Sequence, residues 1–129
     1  MSDLPKRFTI WTEKIGSVQA EVCSENPNTA ELILKALPIK GKANRWGDEI
    51  YFSTPVNATE ENGRVEVEVG NVAYWPPGKA ICIFFGPTPV SEGNAPRAAS
   101  NVNVFARILG DSAVFKRVRD GDDVKLQLE

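Results

Sequence analysis

Strict alternation of apolar and polar residues recurs along this chain of 129 residues, and it commits most of the chain to half-buried β-strands. The first alternating segment runs from Phe8 to Ile10 and the second from Val18 to Val22. The residues Lys14-Ile-Gly16 lie between them and suit a tight turn. The chain is therefore predicted to begin with a β-hairpin.

One segment follows a helical period instead. Apolar residues at i, i+3, i+4 and i+7 from Ala30 onward predict an amphipathic helix over residues 27–37. Asn26, which precedes a proline, is one candidate cap for its start, and Asn28, with Glu three positions later, is the other. Pro38 is expected to end the helix.

The run Ala80 to Phe85 is apolar without alternation, which is typical of a strand covered on both faces. We expect Ile81 and Ile83 on one of its faces and Cys82 and Phe84 on the other, all buried. The remaining predicted elements are strands near residues 39–46, 49–53, 65–69, 102–109 and 124–128, a helical turn over 112–118, and loops over 54–63 and 86–101.

These elements amount to about eight strands and one firm helix, with no linker or repeat between them. The fold class is predicted to be mainly β, as a closed barrel of about eight strands, because closure leaves no exposed strand edge. The length suits a single domain over residues 1–129.

Composition excludes several kinds of chemistry. The chain has no histidine, which removes His-based triads, dyads and zinc sites. Cys23 and Cys82 lie in strand-like runs and are expected to be reduced and buried, with a disulfide bridge between them as the alternative. Asp120, Asp122 and Asp123 fit no metal-loop spacing and predict a solvated acidic turn. We therefore predict neither a metal nor a cofactor.

Charge and hydropathy limit the partners. A net charge of -2 does not build the positive field that nucleic acids select. Residues 1–7 lack the apolar run of a signal peptide, and no later stretch is long enough to span a membrane. We expect a cytoplasmic protein without nucleic-acid or membrane partners, and its oligomeric state stays open.

Three segments resemble the cyclophilins in the same order along the chain. They are Pro27-Asn-Thr-Ala-Glu-Leu, Gly70-Asn-Val-Ala-Tyr-Trp with the later Ile81-Cys-Ile-Phe-Phe run, and Val104-Phe-Ala-Arg-Ile-Leu-Gly-Asp111. The stretches Trp46-Gly-Asp-Glu-Ile-Tyr-Phe52 and Tyr74-Trp-Pro-Pro-Gly78 through Phe84-Phe-Gly-Pro-Thr-Pro89 resemble a family of small, uncharacterised prokaryotic cyclophilin-like proteins. The resemblance implies a compact eight-stranded cyclophilin-like barrel, and this family carries no assigned activity.

The resemblance to cyclophilins also suggests one catalytic residue. Arg45 lies just before a strand, as the catalytic arginine of cyclophilins does, and a guanidinium can stabilise a twisted X-Pro amide. Ser53 stands where the family has glutamine, and Val102 or Asn103 where it has histidine. Arg45 is therefore either a weak isomerase residue, a ligand contact or a solvated hairpin arginine.

Aromatic and hydroxyl side chains near these motifs suggest a binding cleft, because aromatic rings offer a large contact area. The alternative for each is packing in the core, at the barrel end or in a loop. The predicted ligand-binding residues are Trp46, Tyr51, Ser53, Tyr74, Trp75, Phe85 and Thr88. The leading hypothesis is a binding module for a small molecule or an extended peptide, with a weak peptidyl-prolyl isomerase or a structural interaction domain as the alternatives.

Overall fold

The computed structural model describes residues 5–129. The strands are β1 (Arg7–Thr12), β2 (Gly16–Val22), β3 (Ile39–Lys42), β4 (Asn44–Arg45), β5 (Glu49–Ser53), β6 (Arg64–Glu66), β7 (Asn71–Trp75), β8 (Ala80–Phe84), β9 (Arg97–Ile108) and β10 (Asp123–Leu128). Helix α1 spans Pro27–Ala36, and two 3-10 turns span Pro76–Gly78 and Ser112–Arg117. The protein is thus mainly β with one firm helix, as predicted.

The predicted closed barrel of eight strands is wrong. The strands form one ten-stranded sheet in the order β3-β10-β1-β2-β9-β7-β8-β5-β4, and β6 pairs with β9 beside this path. The sheet is not closed by hydrogen bonds between its end strands. Its ends approach through packing instead, since a Cβ added to Gly41 of β3 would lie 2.9 Å from Cδ2 of Phe52 of β5.

Strand β8 is buried on both faces, which confirms the interpretation of its apolar run. Ile81 and Ile83 contribute to the main core, which also contains the buried face of α1. Cys82 and Phe84 contribute to a smaller apolar cluster on the opposite face of the sheet. This second cluster, called the outer cluster below, consists of Val67, Ala73, Cys82, Phe84, Ala98, Val102 and Val104.

Helix α1 buries Ala30, Ile33 and Leu34, as its period predicts. Asn28 lies inside the helix and is not its N-cap residue. Asn26 occupies the N-cap position, but its side chain makes no capping hydrogen bond because it is occupied elsewhere. Its Nδ2 donates to the Val104 carbonyl oxygen at 2.8 Å, and its Oδ1 accepts from the Asn62 N–H at 2.7 Å. The N–H groups at the start of α1 are bonded instead by a carboxylate from a distant loop.

Several predicted boundaries differ from the structure. The segment 39–46 divides into β3 and β4, because Ala43 between them bonds to the turn before β10. The strand predicted over 65–69 shortens to β6, which ends at Glu66. The loop after β8 is shorter than predicted, because β9 already begins at Arg97. Leu128, the last residue of the strand predicted over 124–128, is 50% exposed.

Candidate functional site

A cavity of about 240 Å³ lies against the outer cluster. Its lining comes from four strands and one turn, and consists of Trp46, Glu49, Tyr51, Trp75, Cys82, Ala98, Ala99 and Val102. The register places Tyr51 of β5 opposite Cys82 of β8 on one face of the sheet, and Glu49, two residues before Tyr51, lies on the same face. The cavity is therefore a product of the pairing of β5, β7, β8 and β9.

Two tryptophans and one tyrosine form the walls of the cavity. Trp46 is held in a tight turn in which its N–H donates to the Glu49 carbonyl oxygen at 2.9 Å. The Nε1–H of Trp75 donates to the Ser100 hydroxyl at 2.6 Å. The ring of Trp75 also covers Gly78, where an added Cβ would lie 2.6 Å from Cε3 of the ring. The position of the Trp75 ring thus depends on both a hydrogen bond and a glycine.

Glu49 places a carboxyl group in this largely apolar lining. The residue is only 5% exposed, and its Oε1 has no hydrogen-bond partner among the described residues 5–129. Burial disfavours the charged form and raises the pKa of Glu49 to about 7, against a smaller lowering effect of the Cys82 thiol. A carboxyl group with such a pKa is present in both protonation states at neutral pH.

Cys82 is the thiol beside this carboxyl group. Complete burial raises the pKa of the Cys82 thiol, and the nearby Glu49 raises it further. The thiol therefore stays protonated at neutral pH and is a poor nucleophile. Both cysteines are unpaired, as predicted, although Cys23 is half-buried rather than buried.

The structure brings together three of the seven predicted ligand-binding residues, Trp46, Tyr51 and Trp75. Ser53 lies on the same face of β5 as Tyr51, but it is exposed and does not line the cavity. Its position shows that sharing a strand face is not enough to share a site.

Tyr74, Phe85 and Thr88 lie elsewhere. Tyr74 is fully buried in the main core, where its hydroxyl donates to the Val56 carbonyl oxygen at 2.7 Å. Phe85 also lies in the main core. The Thr88 hydroxyl donates to the Arg97 carbonyl oxygen and so links the loop after β8 to the start of β9. Each of these side chains is engaged in packing or internal bonding.

Arg45 does not line the cavity either. Its guanidinium group donates to the carbonyl oxygens of Gly47, Lys116 and Val118 and to Oδ1 of Asp48, at distances from 2.5 to 3.1 Å. The group also lies 5.0 Å from the ring centroid of Phe85. In this arrangement the arginine joins the turn before β5 to the second 3-10 turn and the residue after it, and four of its five side-chain N–H donors are occupied.

The sequence did not predict that the other residues of the cavity lining belong to a ligand site. Glu49 is the clearest omission, because the alternation that relates Tyr51 to Ser53 extends one step back to Glu49. The apolar run predicts only that Cys82 packs in the interior. Nothing in the sequence around Ala98 and Ala99 indicates that these residues line a cavity.

The acidic side chains of the turn near the C-terminus form hydrogen bonds and ion pairs within the protein. Asp120 accepts from the Arg45 N–H at 2.6 Å, Asp122 pairs with Lys14 at 2.9 Å, and Asp123 pairs with Lys42 at 2.7 Å. Within residues 5–129, no group of three acidic or cysteine side chains is arranged to hold a metal ion.

Comparison with known proteins identifies the family. A family model described as cyclophilin-like matches residues 6–127. The chain belongs to the cyclophilin-like family. A solution structure of the hypothetical protein AF2241 from Archaeoglobus fulgidus is similar to this cyclophilin-like chain at 46% identity and a TM-score of 0.84, with 100% of both chains covered. No significant match was found among curated proteins.

The family assignment bears on one residue of the cavity. Val102 is one of the two positions where the resemblance to cyclophilins places a histidine, and in this cyclophilin-like protein it lines the cavity.

No helix among the described residues is both long enough and apolar enough to cross a bilayer, and residues 1–4 of the N-terminal segment considered above lie outside the described part. Since one fold hosts many functions, the activity has to be argued from the cavity.

Proposed function

We propose that this cyclophilin-like protein is a binding module, and that its cavity takes up a small molecule or one side chain of an extended peptide. The observation that carries the proposal is a preformed cavity with Trp46, Tyr51 and Trp75 in its walls and one buried polar group, Glu49. Ligand sites in proteins commonly combine an apolar lining with a few polar groups that orient the ligand.

The size of the cavity restricts the ligand. A volume of about 240 Å³ exceeds the roughly 150 Å³ of an engineered cavity that holds benzene in another protein. A ring with one short substituent therefore fits, whereas a larger ligand would extend out of the cavity onto the surface. The same space would accept a single ring-bearing or long side chain of a bound peptide.

The chemistry of the lining favours binding over covalent catalysis. The Cys82 thiol is protonated, since complete burial raises its pKa, and four of the five side-chain N–H donors of Arg45 are occupied outside the cavity. An arginine that stabilises a twisted X-Pro amide needs free donors in the peptide site. The isomerase hypothesis therefore has less support than the binding hypothesis.

Tryptophan fluorescence offers a direct test, because Trp46 and Trp75 line the cavity whereas Trp11 lies outside it and is 37% exposed. We expect ring-bearing small molecules or short peptides containing such a side chain to change the emission and to raise the melting temperature. Trp75→Ala should weaken the binding of the best compound by about tenfold or more, as expected for a central aromatic contact.

Trp11→Ala is the matched control, since it removes a partly exposed tryptophan that does not touch the cavity. Its affinity for the same compound should equal that of the wild type. The proposal would be wrong if no compound of a broad ring-bearing library bound, or if Trp11→Ala and Trp75→Ala weakened binding equally.

A further inference from the structure

The Glu49 carboxyl group is a buried hydrogen-bond acceptor in the wall of the cavity. We propose that the cavity selects primary or secondary organic ammonium ions, whose N–H groups donate to Glu49 and whose carbon body packs between Trp46, Tyr51 and Trp75. This inference rests on the proposed binding function and specifies the class of ligand.

The first argument is the missing partner of the carboxyl group. Oε1 of Glu49 is buried and has no donor among residues 5–129. A buried polar atom without a hydrogen bond destabilises the protein, and an ionised one does so more strongly. Because Glu49 lines the cavity, a ligand N–H group that reaches its carboxyl group would supply a further donor.

The second argument is the absence of a balancing charge in the described lining. The residues that line the cavity include no lysine or arginine. Arg45, close to Glu49 in sequence, forms its ion pair with Asp48 at 3.0 Å and donates its remaining bonds to backbone carbonyl oxygens. The positive charge that would pair with an ionised Glu49 therefore has to come with the ligand.

The third argument is the nature of the walls. The faces of tryptophan and tyrosine rings attract cations through the ring quadrupole. Trp46, Tyr51 and Trp75 surround the cavity, and Ala98 and Val102 add apolar surface for the carbon body of the ligand. An aromatic wall beside a carboxylate favours an ammonium ion with an apolar body over a strongly hydrated inorganic cation.

Other ligand classes satisfy these features less well. An anionic ligand would be repelled by an ionised Glu49. A neutral alcohol of the same shape can donate a hydrogen bond to Oε1, but charge-assisted hydrogen bonds are roughly twice as strong as neutral ones. A quaternary ammonium ion would gain from the aromatic walls, yet it has no N–H to donate.

The preference for an ammonium ion should depend on pH, because it requires the ionised form of Glu49. The titratable groups of the described lining are Glu49 itself, Tyr51 on the same strand and Cys82 on β8, whereas β7 and β9 contribute none. Two more charged groups lie nearby, Arg45 at the end of β4 and Asp48 in the turn before β5, and they form an ion pair with each other. Because the pKa of Glu49 is about 7, the carboxylate form that attracts an ammonium ion predominates only above that pH.

Benzylamine and benzyl alcohol provide a matched pair of probes, since they share their ring and their shape and differ in charge. Binding is measured by tryptophan fluorescence and checked by chemical-shift changes in NMR spectra of the labelled protein. At pH 8 the wild type should bind benzylamine about tenfold or more tightly than benzyl alcohol. At pH 5.5, where Glu49 is mostly protonated, this preference should fall to about threefold or less.

Glu49→Gln keeps the shape of the side chain and removes its charge, so it should abolish the preference for benzylamine over benzyl alcohol at pH 8. Glu60→Gln removes an exposed carboxylate outside the cavity and should retain the wild-type preference. Thermal melts of both variants establish that they are folded.

Three results would overturn the inference. Equal or weaker binding of benzylamine at pH 8 would remove the selectivity but leave the binding function intact, provided that benzyl alcohol binds. A preference that persists in Glu49→Gln would exclude Glu49 as its cause. Binding of neither probe at millimolar concentration would contradict both the inference and the proposed function for ring-sized ligands.

Discussion

Glu49 shows how a single side chain acquires unusual properties from its surroundings. On strand β5 it follows the ordinary alternation and lies on the same face as Tyr51. That face would be solvated in many antiparallel sheets, but here it carries the apolar side chains of the outer cluster. The carboxyl group therefore loses water without gaining a donor for Oε1, and its pKa rises.

The stability of the protein should consequently depend on the protonation of Glu49. In the folded state its pKa is about 7, compared with an ordinary value of 4.5, so the folded state retains the proton to higher pH than the unfolded state. The stabilising effect of this proton is fully present below about pH 4.5 and is lost as the pH rises through 7. The total loss is about 3 kcal/mol.

Urea unfolding at pH 5, 6, 7 and 8 measures this effect. The free energy of unfolding of the wild type should fall relative to that of Glu49→Gln as the pH rises, because glutamine does not titrate. Glu60→Gln should follow the wild type, since Glu60 is exposed. Parallel pH profiles for the wild type and Glu49→Gln would contradict the assigned pKa of the carboxyl group.

At the scale of elements, helix α1 is held at its start by polar side chains from distant segments. The Glu61 carboxylate accepts from the N–H groups of Asn28 at 3.2 Å and Thr29 at 3.0 Å. Nδ2 of Asn103 on β9 donates to the Thr29 hydroxyl at 3.0 Å, and its Oδ1 accepts from the Glu61 N–H at 3.0 Å. These bonds join α1, the loop over 54–63 and β9 into one network.

Glu61→Ala should destabilise the protein by about 0.5 to 2 kcal/mol, the range measured for the loss of a helix N-cap side chain. Desolvation raises the pKa of Glu61, but the hydrogen bonds from Thr29 and Asn28 outweigh it and lower the pKa overall. The stabilising effect is therefore present above the ordinary carboxyl pKa and is lost as the pH falls through the lower folded value.

Chemical denaturation at pH 7 and again at a pH below the ordinary carboxyl pKa tests both parts of this prediction. Glu60→Ala is the matched control, because Glu60 is the preceding residue of the same loop and is exposed. We expect it to change the free energy of unfolding by less than about 0.5 kcal/mol. Equal effects of the two substitutions at pH 7 would show that Glu61 does not cap the helix.

At the scale of the whole molecule, the sheet curls until its ends pack together without pairing. Gly41 of β3 lies against Phe52 of β5, and Phe52 is fully buried in the main core. The long strand β9 pairs with β2, β6 and β7, so it links the two halves of the sheet. The curled sheet therefore encloses the main core on one face and carries the outer cluster and its cavity on the other.

Gly41→Ala should destabilise the protein by about 1 to 3 kcal/mol, the usual effect of overpacking a core. The added Cβ would lie 2.9 Å from Cδ2 and 3.0 Å from Cβ of Phe52, which has no free space to move into. Gly93→Ala is the control, because nothing lies within 4 Å of an added Cβ there. Thermal or urea unfolding that shows equal stability for the two variants would contradict the close approach of β3 and β5.

The sequence by itself determined the local elements. Alternation predicted the first hairpin, the helical period predicted α1, and the continuous apolar run predicted a strand buried on both faces at β8. These inferences succeeded because the backbone geometry of a strand or helix relates neighbouring side chains to one another directly. The resemblance to cyclophilin-like proteins was confirmed as well.

Only the tertiary structure decided which of these faces forms the cavity. Tyr74 and Trp75 are neighbours on β7 and point to opposite faces, but both faces are covered, so alternation cannot tell the core from the site. The capping of α1 by Glu61, the open path of the sheet and the burial of Glu49 likewise depend on residues far apart in sequence. Local patterns fix the relative directions of side chains, whereas the register of distant strands determines what those side chains meet.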